Sequence, residues 1–115
     1  MTPEEILKQE YPEEFDKLCK NRVLTSFYKY GPAKINFGQG LVDAIESALM
    51  CIAKFQKTGN TEYLLDAANY LRFEFEYPQH PNAHFTATDS GESAGKAGIS
   101  VNEMKQFRED NNDTN

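Results

Sequence analysis

The chain has 115 residues, with 12 Lys and Arg against 18 Asp and Glu, giving a formal net charge of −6 at pH 7. That length suits one domain with a modest core, and the acidic balance argues against nucleic-acid binding through a broad basic face. No run of about 18 apolar residues is present, so no membrane span is expected.

Thr2, Pro3 and Glu5 supply an N-cap, a first-turn proline and a capping-box acid, so a short helix starts there. The same opening residues have neither a basic start nor an apolar h-region, and no secretory signal is expected. Pro12, Glu13 and Glu14 start a second helix, which Gly31-Pro32 ends. On it Cys19, Val23, Phe27 and Tyr30 recur at helical spacing as an apolar stripe. The adjacent row, Phe15, Leu18, Arg22, Ser26 and Lys29, is apolar at first and polar after one turn. Gly31 to Gly40 reads as a loop anchored by Ile35 and Phe37.

A third helix is predicted from about Leu41 to Lys57. Its buried side is predicted as Leu41, Ile45, Leu49, Ile52 and Phe55 or Gln56, with Asp43, Glu46 and Ser47 on the other side. Gly59 is a left-handed C-cap, and Asn60 or Thr61 caps a fourth helix running to about Glu76. The connection is short enough to force an antiparallel hairpin. Pro78 and Pro81 stop the helix. Residues 78–99 then read as an irregular segment packed on the bundle. Ser100 with Glu103 starts a short last helix to Phe107, so the domain is 1–107, followed by a frayed acidic tail, 108–115. The expected fold is therefore all-α: a small bundle around a helix hairpin. Cys19 and Cys51 fall at apolar helical positions and read as small core residues of a reduced, cytoplasmic protein.

Two polar stripes carry the functional reading. Glu62, Asp66 and Asn69 share one side of an otherwise apolar helix, where burial without partners is costly. Leu64, Leu65, Ala67 and Ala68 surround Asp66. Arg22, Ser26 and Lys29 face this stripe from the second helix if the two pack together. An Arg22 with a packed stem either bridges to Asp66 and fixes register or clamps a phosphate bidentately. Asp43 and Glu46, spaced by three, and Glu62 and Asp66, spaced by four, each share a helix face. Converging in the hairpin, they can hold Mg²⁺ through carboxylate oxygens and orient a water against a phosphate chain. The plainer reading of Asp43 and Glu46 is as solvent-facing acids near a helix start. His80 and His84 have ligand spacing only on a helix, which the prolines forbid, so zinc is disfavoured. No Walker or dinucleotide glycine pattern is present. The aromatics fall mainly at core spacing.

Together Arg22, Ser26, Lys29-Tyr30-Gly31, Thr58-Gly-Asn-Thr-Glu62, Asp66, Asn69 and the His80–Ser90 segment resemble a family of small phage and prophage proteins of poorly defined function. The resemblance spans about residues 15 to 98. It makes Arg22, Ser26, Lys29, Asp66, Asn69 and His84 the candidate ligand-binding residues, with a nucleotide or nucleotide-derived molecule as partner in the host cytoplasm. More loosely, the acidic layout resembles the all-α MazG-type nucleotide pyrophosphohydrolases, which bind Mg²⁺ through E-x-x-E and E-x-x-D motifs on successive helices. That likeness implies Asp43, Glu46, Glu62 and Asp66 as metal ligands, and a homo-oligomer. Here the first motif reads Asp43-Ala-Ile-Glu46, and the second, Glu62-Tyr-Leu-Leu-Asp66, is one residue too long. The displaced motif favours binding without turnover, as in a counter-defence factor that sequesters a nucleotide signal. A Mg²⁺-dependent pyrophosphohydrolase and a noncatalytic protein-interaction module are the alternatives.

Overall fold

The computed structural model describes residues 1–88. The chain divides into two units, Met1–Ala83 and His84–Asn115. Of the second, the described residues 84–88 are exposed and irregular. The helix expected after Ser100, the tail 108–115 and the irregular segment from 89 onward lie outside the described residues.

The first unit is all-α: α1 (Pro3–Glu10), α2 (Glu13–Tyr30), α3 (Ala33–Asn36), α4 (Ala44–Thr58) and α5 (Glu62–Glu76), with no strand among the described residues. Local signals set most boundaries. The Thr2 hydroxyl accepts from the Glu5 N–H at 3.2 Å and opens α1, which buries none of its residues. α2 stops at Gly31, whose φ of 83° suits glycine. The 31–40 segment is more ordered than the expected loop. Pro32, with φ −65°, leads into the single turn of α3, and the Asn36 amide donates to the Tyr30 carbonyl at 3.0 Å, tying that turn to the end of α2. Of the two expected anchors, Phe37 is buried and Ile35 is not.

The third predicted helix differs in start and in face. α4 begins at Ala44 because the Asp43 carboxylate caps it, accepting from the Glu46 N–H at 2.9 Å. Its buried row is Ala44 and Ala48, with Cys51 and Phe55 half-buried. Leu41, Ile45, Leu49 and Ile52, predicted to be inside, are exposed. Alanines on the packed row let the α4 and α5 backbones approach closely, and the larger residues are displaced to the flank. Gly59 takes the expected left-handed conformation, φ 75° and ψ 6°. Asn60 Oδ1 then accepts from the Glu62 N–H at 3.0 Å and opens α5. α4 and α5 thus form the antiparallel hairpin, and α2 packs on α5.

One long-range fastener joins the loop 37–43 to the end of α5. The Gln79 amide donates to the Phe37 carbonyl at 3.0 Å and the Val42 carbonyl at 2.6 Å. Gln79 itself is held by Glu74, whose Oε1 accepts from the Gln79 and His80 N–H groups at 2.9 and 3.3 Å. The buried apolar residues of the described chain are Cys19, Phe37, Ala44, Ala48 and Ala67. It is a small core, and no large side chain is fully enclosed.

Candidate functional site

Residues three and four apart on a helix share a face, and α5 uses this to aim Glu62, Asp66 and Asn69 at α2. Arg22 meets them there. Its Nε and Nη2 donate to Asp66 Oδ1 and Oδ2 at 3.0 and 3.1 Å, a fork-on-fork pair. Its Nη1 lies 3.4 Å from Glu62 Oε1. The bond to Asp66, aided by both nearby carboxylates, raises the Arg22 pKa further above its already high value. Arg22 therefore faces two carboxylates with one positive charge, and the local balance repels a phosphate. The contact with Asp66 is common to both readings of Arg22, the register-fixing bridge and the phosphate clamp.

Asn69 is buried. Its Nδ2 donates to the Cys19 carbonyl of α2 at 3.0 Å. No hydrogen bond among the described residues engages its Oδ1, so an acceptor stays available where Asn69 lines a cavity.

That cavity, about 380 Å³, lies between α2, α5 and the 31–42 segment. Arg22, Ser26, Asp66 and Asn69 line one part of it, so the structure gathers four of the candidate residues around one pocket. Five aromatics, Phe27, Tyr30, Phe37, Tyr70 and Phe73, make up much of the remaining lining. Phe37 stacks on Phe73, with centroids 4.7 Å apart and planes 23° apart, and meets Tyr70 edge-on at 6.0 Å. Burial, with the nearby Cys51, raises the Tyr70 pKa above its ordinary value. Phe27 and Tyr30, placed by their spacing in the apolar stripe of α2, are 52% and 65% exposed. Both line the cavity while keeping surface open to solvent. Sequence reasoning missed the aromatic lining because helical spacing does not distinguish a core face from a cavity wall. Lys29 does not line the cavity; its ammonium lies 5.2 Å from the centroid of the Tyr30 ring, which does.

The proposed metal carboxylates do not gather. Antiparallel packing puts Asp43 and Glu46, at the N-terminus of α4, at the far end of the hairpin from Glu62 and Asp66, at the N-terminus of α5. Asp43 is also engaged as the α4 cap. Among the described residues no three His, Cys, Asp or Glu side chains cluster to hold a metal ion. The expected convergence thus fails on topology: a hairpin brings together the end of one helix and the start of the next, not two starts. His84 belongs to the second unit, where it is exposed.

The chain matches no protein-family model, no curated protein and no solved structure.

Proposed function

We propose that this protein binds a nucleotide or nucleotide-derived molecule through its base, without turning it over. The supporting observation is the combination within one pocket of exposed aromatic side chains and polar acceptors. Phe27 and Tyr30 offer surfaces on which a flat heterocycle stacks, a contact worth about 1–3 kcal/mol per base. Asn69 Oδ1 and the Asp66 carboxylate offer acceptors for the N–H edge of such a ring. The volume lies within the range of small-molecule sites, about 300–1,000 Å³. Pockets of this kind, mostly apolar with a few convergent polar groups, are where ligand specificity is built.

The phosphates stay outside. Two carboxylates flank Arg22, so a buried phosphate meets net negative charge, and the other cation of the candidate set, Lys29, lies 5.2 Å from the centroid of the Tyr30 ring. Separation of the four metal-type carboxylates supports binding over hydrolysis. In this reading the protein acts by holding its ligand, as a sequestering factor of the small phage-protein type does.

A thermal-shift panel of nucleosides, nucleotides and cyclic dinucleotides, with and without Mg²⁺, tests this, followed by product analysis of any hit. Stabilisation that grows with ligand concentration and does not require Mg²⁺, with the ligand recovered intact, is expected. A panel in which no base-containing compound stabilises the protein at millimolar concentration rejects the reading.

A further inference from the structure

The hairpin carries a second feature, on the side of α5 away from the pocket. Cys19 and Arg22 of α2 meet the Leu65 carbonyl, Asp66 and Asn69. At about 100° per residue, Leu64, Leu71 and Phe75 fall on the opposite side of α5. Leu71 and Phe75 are 50% and 73% exposed. On α4, Ile45, Leu49 and Ile52 stand about 100° around from the alanine row that packs on α5. Following the right-handed turn of an antiparallel helix, this flank faces the same side as Leu71 and Phe75. Two apolar rows on neighbouring helices thus form one surface that nothing in the first unit covers. Contiguous apolar surface of this kind marks an interaction site.

We infer that a second copy of this chain covers this face, with α4 antiparallel to its counterpart across a two-fold axis. The two hairpins then complete a four-helix bundle, each supplying one apolar face. Charge complementarity selects this occupant. Glu46 and Lys57 lie on the outer flank of the α4 stripe, one near each end, and neither has an ion-pair partner among the described residues. An antiparallel two-fold places Glu46 of each copy near Lys57 of the other, with Leu49 and Ile52 close to the axis. Helix dipoles oppose in the same arrangement. A head-to-tail arrangement, α4 against the partner's α5, would bring Glu46 toward the acidic end of α5 at Glu74 and Glu76 and is disfavoured. The small core of a single copy gives the pairing its driving force. The pocket is lined by α2, α5 and the 31–42 segment and by no residue of α4, so this inference stands apart from the proposed ligand.

Sedimentation equilibrium of the full chain decides it. Twice the 13.1 kDa chain mass is expected by tens of micromolar. Leu49→Glu, at a position 61% exposed in one copy, is expected to return the protein to chain mass with its helical circular dichroism unchanged. Glu46→Lys and Lys57→Glu are each expected to weaken pairing about tenfold, and the double variant to recover to within about threefold of wild type. A wild-type protein that stays at chain mass overturns the inference. So does self-association that Leu49→Glu leaves intact, which places the interface elsewhere, or a double variant no better than the singles, which removes the antiparallel register.

Discussion

Asp66 is held by both Arg22 nitrogens yet keeps about a quarter of its side chain exposed, at 24%, while Arg22 keeps 40%. Solvent screens a pair in that position, so the bridge is worth about 1 kcal/mol rather than the 3–5 kcal/mol lost when a fully buried pair is broken. Asp66→Asn is therefore expected to lower the melting temperature by about 4–8 °C. If the carboxylate accepts from the base, the same change weakens ligand binding by about tenfold, or about 1.4 kcal/mol. A loss of 3–5 kcal/mol in chemical denaturation with affinity unchanged would show that the pair is only structural. Asn69 has the opposite balance, because it is buried and its amide ties α5 to the Cys19 carbonyl. The thiols add a pH dependence. Burial raises the pKa of Cys19, helped by Asp16, and of Cys51, helped by Asp66. A folded-state pKa above the unfolded one means the folded protein binds more protons, so this stability is complete below the ordinary thiol range and is lost as pH rises through the folded value. Denaturation midpoints measured from pH 7 to 10 are expected to fall from about pH 8.5 upward, and a Cys19→Ala, Cys51→Ala double variant to fall less steeply. An equally steep decline in the double variant would assign the loss to other groups.

At the scale of elements, what was legible in the sequence was what acts within three or four residues. The Thr2 cap, the left-handed Gly59 and the Asn60 cap work through adjacent backbone, and so their residue types name them. The face of α4 was not legible. Ile45, Leu49 and Ile52 satisfy the helical period for burial as well as Ala44, Ala48 and Cys51 do, and larger apolar residues are the natural choice for the core. Close approach of two backbones reverses that choice by favouring the alanines. α3 was hidden because its one turn is fixed by the Asn36 bond to Tyr30, a contact across a glycine-proline break. Gln79 was hidden by distance, its partners lying 42 and 37 residues earlier. Its loss is expected to matter more than its place after a proline suggests. Gln79→Ala leaves the Phe37 and Val42 carbonyls without this donor and should cost about 1–3 kcal/mol in chemical denaturation. Because Phe37 forms part of the cavity's aromatic lining, ligand affinity should fall as well. Unchanged stability would show that water replaces the amide without loss.

For the whole molecule, α5 divides two jobs between its sides. One side, with α2 and the 31–42 segment, builds a pocket from polar residues whose spacing marked them and aromatics whose spacing disguised them. The other, with α4, presents the apolar surface through which two copies are inferred to meet. That Arg22, Ser26, Asp66 and Asn69 line one cavity was readable because their periodicities place them on facing stripes. The Mg²⁺ set was misplaced because periodicity gives the face of a helix but not which ends meet. The central claim, that a base is bound and phosphate is left outside, is tested most directly by calorimetric titration of a nucleoside and of its triphosphate, with Mg²⁺ present. The nucleoside should bind within about tenfold of the triphosphate, a difference of at most about 1.4 kcal/mol. Tyr30→Ala should weaken both alike, and the triphosphate should be recovered intact. Binding confined to the triphosphate, or its cleavage by the wild-type protein, would contradict the account.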